Sequence, residues 1–264
     1  MTFAGYSPYL LLSLVFLLGI CIGSFVTMAS HRLPLSQEIV FKPSYCPHCH
    51  TKLGLLDLFP LLSWLWNKGK CRHCGAPVSI RYPLIELALG LAFCGIAFFH
   101  GLDINALLLM LLATELAILI VTDLEHYIIP DGVQIALLLT GLAYRFYNGG
   151  SNETLVSDLV VGIVSGLAIG LALHYGYLYL RKKDALGFGD VKFLAVAGCW
   201  LPLTAFVPFL FFSGLIGIFT GLLWRLAGRG AIFPFGPALA VSLFINVLFP
   251  DMMELLQRVI HHAS

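Results

Sequence analysis

The stretch ALLLMLLATELAILIVTDLEHYIIPD, residues 106–131, decides the fold class of this chain. Its part 106–122 carries one charged side chain, Glu115, and reaches the lower limit of about 17 residues for a helix that crosses a bilayer. Polar residues begin at Asp123, and Pro130 ends the segment that follows. Asp131 then stands where the N-cap of a next helix belongs. The stretch therefore predicts a spanning helix that ends in an acidic turn.

Apolar runs of this kind recur along the whole chain. Its 264 residues are 59% hydrophobic and 11% charged, with a mean hydropathy of +0.92, whereas soluble domains carry about 25% charged residues. We predict an all-α polytopic membrane protein with eight spans, of which the fourth is slightly short and the sixth clearly short. The runs are 8–29, 83–99, 106–122, 132–147, 155–180, 191–200, 204–224 and 232–249.

The lysines and arginines predict the orientation. With eight spans, nearly all of them fall on one side of the membrane, and only Arg145 and Arg258 fall on the other. The positive-inside rule makes the basic side cytoplasmic, so the loop 30–82 is expected in the cytosol. No basic residue precedes the first span, which we interpret as a retained anchor. The basic-side residues are Arg32, Lys42, Lys52, Lys68, Lys70, Arg72, Arg81, Arg181, Lys182, Lys183, Lys192, Arg225 and Arg229.

The cytosolic loop contains two C-x2-C pairs, Cys46/Cys49 and Cys71/Cys74. Two such knuckles at this separation are typical of a tetrahedral zinc site with four thiolate ligands. Four protein ligands leave no open position, so a Zn²⁺ ion here is predicted to be structural. Two disulfides, or an unligated reduced set of thiols, are the alternatives, although a cytosolic location disfavours disulfides.

Two acidic residues far apart in the sequence form the second candidate site. Asp123 ends the third predicted span, and Asp190 opens the sixth within Gly187-Phe-Gly189-Asp190. Both are predicted at cytoplasmic helix ends. Two carboxylates in one partly dry site share a proton, so that one can activate water while the other protonates a substrate carbonyl. The glycines allow an extended peptide to approach closely.

Each aspartate alone has a simpler interpretation as a helix cap or an interfacial charge. Their occurrence together on one predicted side favours a functional pair, because ionisable residues near the membrane interior are functional candidates. Glu86, Glu115 and His174 also fall within apolar runs and are supporting candidates. Small residues at four-residue spacing, Gly162, Gly166 and Gly170, predict a close helix contact in the fifth span.

Several of these segments together resemble the bacterial type IV prepilin peptidases, which are bifunctional leader peptidases and N-methyltransferases. The resemblance begins at Gly23-Ser-Phe-Val-Thr-Met-Ala-Ser-His-Arg-Leu-Pro34 and includes both cysteine knuckles. Between and after the knuckles it includes Asp57-Leu-Phe-Pro-Leu-Leu-Ser-Trp64 and Arg81-Tyr-Pro-Leu-Ile-Glu86. It ends with Asp123, Ile129-Pro-Asp131 and Gly187-Phe-Gly189-Asp190-Val-Lys192.

The resemblance implies an aspartyl endopeptidase that cleaves type IV prepilins or pseudopilins at the cytosolic membrane face, in pilus assembly or type II secretion. It assigns catalysis to Asp123 and Asp190, with Gly187, Gly189, Lys192 and Asp131 as supporting residues. It also implies methylation of the new N-terminus with S-adenosylmethionine. A glycine associated with methylation corresponds to Gly69, whereas the residues that bind the cofactor stay unassigned.

The organisation expected from these patterns is a first transmembrane helix (1–29), a zinc-binding loop domain (30–82) and a transmembrane peptidase domain (83–264). The expected partners are prepilin-like substrates and the lipid bilayer, and no nucleic acid. Two alternative functions remain open. One is a peptidase without methyltransferase activity, and the other is a zinc-containing membrane transporter or assembly factor.

Overall fold

The structure, a computed structural model, is helical throughout the residues that it describes: 7–39, 41–149, 154–181, 186–230 and 233–250. Within these ranges the only β-type pairs are two isolated bridges, Tyr45 with Lys52 and Lys70 with Pro77. The predicted all-α class is therefore confirmed for this part of the chain. The helices are α1 (Pro8–Arg32), α2 (Leu62–Trp66), α3 (Arg81–His100), α4 (Ile104–His126), α5 (Asp131–Gly149), α6 (Leu155–Arg181), α7 (Phe188–Trp200), α8 (Phe206–Leu226) and α9 (Gly236–Leu248), with a 3-10 turn at Leu203–Ala205.

Every predicted apolar run coincides with one of these helices, but not all of them have the length of a span. Among the described residues, five helices are long and apolar enough to cross a membrane, namely α1, α3, α4, α6 and the segment Leu203–Leu226. Helix α9 is a shorter apolar helix, and α7 has 13 residues. The count of eight spans stays a prediction. Three of the basic residues on which the predicted orientation depends lie outside the described residues: Lys182, Lys183 and Arg258.

The chain forms two compact units, Met1–Ile118 and Leu119–Ser264, and their boundary lies within α4. The division into a first helix, a loop domain and a peptidase domain is a different partition, and it stays a prediction.

In the first unit, α1 and α3 approach each other through glycines. A Cβ atom on Gly19 would lie 2.7 Å from the Cα of Gly90, so a side chain there would force the helices apart. One turn further along, Gly23 lies against the backbone of Glu86. The buried Glu86 carboxylate accepts a hydrogen bond of 2.7 Å from the backbone N–H of Leu61. This acidic residue within an apolar helix thus anchors the loop to the helix pair.

In the second unit, α6 and α7 form the corresponding close contact. Gly166 lies against the carbonyl oxygen of Leu194, and Gly162 lies against that of Gly198. A Cβ atom on Gly170 would lie 3.1 Å from the Cα of Val191, near the start of α7. The predicted close contact of the fifth span is confirmed. It places the first turn of α7 against α6.

Candidate functional site

The four cysteines of the loop converge on one point. Their Sγ atoms all lie within 4.8 Å of one another, and those of Cys46 and Cys74 are 3.9 Å apart. A tetrahedral zinc ion with Zn–S bonds of about 2.3 Å holds its sulfurs about 3.8 Å apart. None of the seven cysteines forms a disulfide. The donor set therefore fits a four-thiolate metal site and not the disulfide alternative.

The two knuckles are folded in the same way. In the first, the Cys46 N–H donates to the Thr51 carbonyl at 3.0 Å and the His50 N–H donates to the Cys46 carbonyl at 2.9 Å. In the second, Cys71 and Gly75 make the corresponding bonds at 2.8 Å and 2.9 Å. The residue after each second cysteine has a positive φ, 55° at His50 and 71° at Gly75. Each turn thereby directs two sulfurs towards the same side.

Within the cluster, hydrogen bonds lower the pKa of Cys49 and Cys71, whereas burial and the neighbouring sulfurs raise the pKa of Cys74 to about 11. Hydrogen bonds from the Thr51 side chain and backbone lower the pKa of Cys49 to about 6. Backbone N–H groups of Cys74 and His73 likewise lower the pKa of Cys71. Because a metal binds the deprotonated sulfur, these donors prepare the cluster for a cation.

Gly69 lies between the knuckles, at a position that requires a glycine. Its φ is +69°, and a Cβ atom there would lie 2.9 Å from the ring of Trp64. The Trp64 indole N–H donates to the Val78 carbonyl at 3.0 Å. Gly69 therefore allows Trp64 to close the second knuckle, and any side chain at this position would displace the indole.

Two further residues, Arg32 and Asp57, hold parts of the loop backbone in place through hydrogen bonds. The buried Arg32 guanidinium donates to four backbone carbonyls, those of Glu38, Ile39, Lys42 and Pro43. One side chain therefore holds the backbone of the segment between α1 and the first knuckle.

Asp57 makes a similar link within residues 41–80, which contain both knuckles and which we call the four-cysteine module. Its two carboxylate oxygens accept from Arg72 at 3.1 Å and 3.2 Å, and Arg72 lies within the second knuckle. The Asp57 side chain also accepts from the Gly54 N–H at 3.0 Å. The paired geometry connects the segment between the knuckles to the knuckle that follows it.

In the second unit, Asp123 lies in the last turn of α4 and is buried, with 6% of its surface exposed. Its Oδ2 atom accepts a hydrogen bond of 2.8 Å from the Gly236 N–H, the first residue of α9. A Cβ atom on Gly236 would lie 2.6 Å from that oxygen. The carboxylate therefore occupies the N-terminus of α9, where the helix dipole favours negative charge, and only glycine leaves room for it.

Asp190 lies in the first turn of α7, and its Oδ2 atom accepts a hydrogen bond of 3.2 Å from the Gly187 N–H. The turn of Asp190 packs against the segment that follows Asp123, because Gly189 lies against the side chain of Ile129, and the two carboxyl groups are within electrostatic reach of each other. The structure thus brings together two acidic residues that are far apart in the sequence. Both carboxylates lie at helix N-termini.

The turn that carries Asp190 is held by three neighbours outside it. His174 on α6 donates from Nδ1 to the Leu186 carbonyl at 2.8 Å, which settles its tautomer because a carbonyl oxygen only accepts. Gln134 on α5 donates to the Gly189 carbonyl at 3.3 Å. A Cβ atom on Gly189 would lie 3.3 Å from the side chain of Ile129, which follows α4.

The supporting residues Asp131 and Lys192 form an ion pair of 2.8 Å between their Oδ1 and Nζ atoms. Both side chains are more than half exposed, so the pair contributes little to stability. Asp131 is the first residue of α5 and not the residue before it, which is a difference of one position from the predicted cap. The ion pair links the first residue of α5 to Lys192 near the start of α7.

Comparison with known proteins connects both sites to one family. The family described as Bacterial Peptidase A24 N-terminal domain matches residues 17–100, and the Type IV leader peptidase family matches residues 108–222. A prepilin leader peptidase/N-methyltransferase of Aeromonas hydrophila is 35% identical over 92% of this chain and 92% of its own length. This chain belongs to the type IV leader peptidase family.

Other members of the type IV leader peptidase family show the same extent of similarity. A prepilin leader peptidase/N-methyltransferase of Dickeya chrysanthemi is 35% identical over 93% of this chain and 96% of its own length. One from Klebsiella pneumoniae is 36% identical over 75% of this chain and 89% of its own length. No solved structure matches the chain. The four cysteines fall in the first matched segment, and both aspartates fall in the second.

Sequence reasoning identified the cysteines and the acidic residues of this type IV leader peptidase family member, but it missed the groups that hold them. Gly236 and Gln134 carried no pattern of their own, because each acts on a residue or backbone group that lies elsewhere in the chain, and Asp57 was visible only as part of a motif, without an assigned role. His174 was visible as an ionisable residue in an apolar run, without an assigned role. Arg32 was counted as a basic charge and as part of the motif Gly23–Pro34, without an assigned contact.

Proposed function

We propose that this protein is a membrane aspartyl endopeptidase that removes the leader peptide of type IV prepilin-like proteins and then N-methylates the new N-terminal residue. The observation that carries the proposal is the convergence of Asp123 and Asp190 at helix ends in a chain of this family. The similar proteins of known name are prepilin leader peptidases and N-methyltransferases.

In the proposed peptidase step, the two carboxyl groups share one proton, because like charges at short range disfavour double ionisation. The ionised carboxylate takes a proton from a water molecule, whose oxygen bonds to the scissile carbonyl carbon. The protonated carboxyl donates to the carbonyl oxygen. Collapse of the tetrahedral intermediate breaks the C–N bond, and the leaving amine takes up a proton from the pair. The titration belongs to the pair rather than to either residue.

An exposed glycine near the pair supports a peptide substrate. Gly187 is exposed, and a Cβ atom there would contact only groups of its own turn. Absence of a side chain there lets an extended peptide approach the acidic residues closely. Lys192 and Asp131 are exposed beside the same turn, and we propose that they support the position of α7 rather than the chemistry.

For the methyltransferase half, we propose that the four-cysteine module holds a structural Zn²⁺ ion and that S-adenosylmethionine supplies the methyl group. The cysteine geometry supports the metal. The cofactor is supported by the names of the relatives and by the resemblance of the loop, including Gly69. Gly69 serves this half through Trp64, which it allows to close the module.

The proposed location is the bacterial inner membrane, with the loop and the acidic pair facing the cytosol. The five long apolar helices support a multi-pass membrane protein. The uneven distribution of lysines and arginines supports the orientation.

The deciding experiment incubates the purified full-length protein, in detergent or liposomes, with a prepilin and measures the intact mass of the product. We expect loss of the leader in all reactions and an added methyl group only when S-adenosylmethionine is present. An unmodified amine in both reactions would favour a peptidase without methyltransferase activity. Solute flux into liposomes without any cleavage would favour a transporter and contradict the proposal.

A further inference from the structure

The segment between the two cysteine knuckles exposes a group of large apolar side chains. We call these residues the apolar patch. Leu55 is 89% exposed and Trp66 is 67% exposed, although the segment lies outside the helices that are long enough to span a membrane. Scattered apolar residues on a surface need no explanation, but several exposed ones within a single short segment are a candidate interaction site. The patch consists of Leu55, Leu56, Phe59, Leu62, Leu65 and Trp66.

Helix α2 shows that the exposure is directional. Leu62, Leu65 and Trp66 are spaced at i, i+3 and i+4, so they share one face of this short helix. Trp64 lies on another face, where its indole donates to the Val78 carbonyl and its ring covers Gly69. In the four-cysteine module, Trp64 therefore contacts the module's own backbone, whereas Trp66 faces outward.

Basic residues adjoin the apolar face. Lys68 and Lys70 follow Trp66 within four positions, and both are exposed. A segment that combines leucine, phenylalanine and tryptophan with adjacent lysines has the composition of a protein surface that lies in a membrane interface. The apolar side chains enter the boundary between headgroups and acyl chains, tryptophan prefers that depth, and lysine attracts anionic phosphates.

The connections of the loop place such a surface within reach of the bilayer. The loop leaves α1 after Arg32 and enters α3 at Arg81, and both helices are long and apolar enough to cross a membrane. Ile80, immediately before α3, is 60% exposed, and Leu35, shortly after α1, is 50% exposed. Exposed apolar residues thus continue from the helix ends into the loop. The patch belongs to a module that is tethered to the membrane at both ends.

We propose that the apolar patch docks into the lipid–water interface and holds the four-cysteine module against the membrane surface, with Lys68 and Lys70 at the lipid phosphates. The partner is therefore the bilayer itself. A peptide substrate or a second copy of the chain would be a different partner, and each would give a different fluorescence result for Trp66. The proposal does not depend on the enzymatic function.

The test measures tryptophan fluorescence of the full-length protein in liposomes made with or without phospholipids that carry bromine on the acyl chain near the headgroup. Bromine quenches only nearby indoles. Because the chain has four tryptophans, the contribution of Trp66 is obtained by subtracting the spectrum of Trp66→Phe. We expect most of this difference signal to be lost in brominated liposomes.

A paired variant checks that the patch causes this result. Leu56→Glu combined with Leu65→Glu places two charges on the patch without opening a cavity, because both side chains are exposed. We expect the Trp66 signal to recover in this background while bound zinc stays at the wild-type amount. The control is Phe41→Glu, which changes a still more exposed apolar residue of the loop outside the patch. It should leave the quenching unchanged.

Three results would overturn the proposal. The first is an unquenched Trp66 signal in brominated liposomes. The second is a blue shift of Trp66 that occurs only after a prepilin peptide is added, which would assign the patch to the substrate. The third is protection of Trp66 that depends on protein concentration, which would assign it to a second copy of the chain. If the paired variant loses zinc, the quenching of the wild-type protein still decides between these outcomes.

Discussion

The four-cysteine cluster and the acidic pair are both built from two turns, but the turns are held in different ways. Each cysteine knuckle is closed by backbone hydrogen bonds between residues that are close in the sequence, such as Cys46 with Thr51. The acidic residues lie on separate helices, and groups far away in the sequence position them: Gly236 donates to Asp123, and Gln134 donates to the turn that carries Asp190. One site is therefore local and the other is tertiary.

This difference determines what each site needs in order to exist. Among residues 41–80 only Cys46 and Pro60 are buried, so the module has almost no apolar core. We expect a bound metal to supply much of its folding free energy. The second unit instead contains fully buried side chains, including Phe193, Phe209 and Leu243. Its acidic pair should persist when the metal is removed and fail when helix packing is changed.

The largest expected effect tests whether the acidic pair is the reactive centre. Asp123→Asn or Asp190→Asn should lower the rate of leader cleavage by at least about a hundredfold, the usual contribution of a general acid or base. In Asp123→Asn the new amide keeps an oxygen that accepts the Gly236 N–H bond, so the fold around the site should survive. The rate is measured by intact mass of the substrate over time.

The control for the acidic pair is Asp158→Asn. Asp158 is an exposed acidic residue in the first turn of α6, in the same unit. Its neutralisation should leave cleavage within about twofold of wild type, since surface changes usually have small effects. Cleavage at the wild-type rate by either Asp123→Asn or Asp190→Asn would disprove the assignment of the pair.

The next effect separates the two sites. Cys71→Ser should abolish stoichiometric zinc and disorder the loop, because a structural zinc site depends on all four ligands. Methylation should be lost, whereas leader cleavage should be retained. Zinc is measured by elemental analysis and the two activities by product mass. Cys21→Ser, in the exposed face of α1, should keep zinc and both activities. Equal loss of cleavage and methylation in Cys71→Ser would show that the sites are not independent.

A smaller effect tests the dependence of the acidic pair on helix packing. Gly166→Ala introduces a methyl group against the Leu194 carbonyl and should push α7 away from α6. Overpacking of this kind costs about 1–3 kcal/mol, and we expect a lower melting temperature together with slower cleavage. Gly176→Ala on the same helix meets nothing within 4 Å. It should be neutral or stabilise by up to about 1 kcal/mol, because alanine is the better helix former. Equal melting temperatures for the two variants would contradict the packing argument.

The sequence predicts the local features of this molecule well and the tertiary ones poorly. Hydrophobicity along the chain predicted α6 at 155–180, and the helix ends at Arg181. Cysteine spacing predicted the metal cluster, because each knuckle contains its own geometry. The sixth apolar run, 191–200, is too short alone and was predicted to open within Gly187-Phe-Gly189-Asp190, and α7 starts at Phe188 in that motif. Gly236 could not be predicted, because one sequence contains no information on which distant backbone N–H meets Asp123.

The smallest expected effect concerns His174 on α6 and tests whether this side chain positions the turn before Asp190. His174 donates to the Leu186 carbonyl, which belongs to the backbone just before the turn of Asp190, so we expect it to act as a positioning residue. His174→Phe keeps an aromatic ring beside Phe188, which lies 4.8 Å away between ring centroids, but it removes the donor. A lost hydrogen bond of about 1 kcal/mol corresponds to roughly fivefold in rate.

We therefore expect His174→Phe to lower kcat about fivefold with little change in KM. His174→Asn should restore much of the rate, since the asparagine amide offers a donor near the position of Nδ1. Gln134→Leu should act on the other end of the same turn, through the Gly189 carbonyl. Because both side chains hold one turn, the double variant should lose less than the product of the single losses. Full additivity, or a change in melting temperature without any change in kcat, would mean that His174 stabilises the fold without setting the position of Asp190.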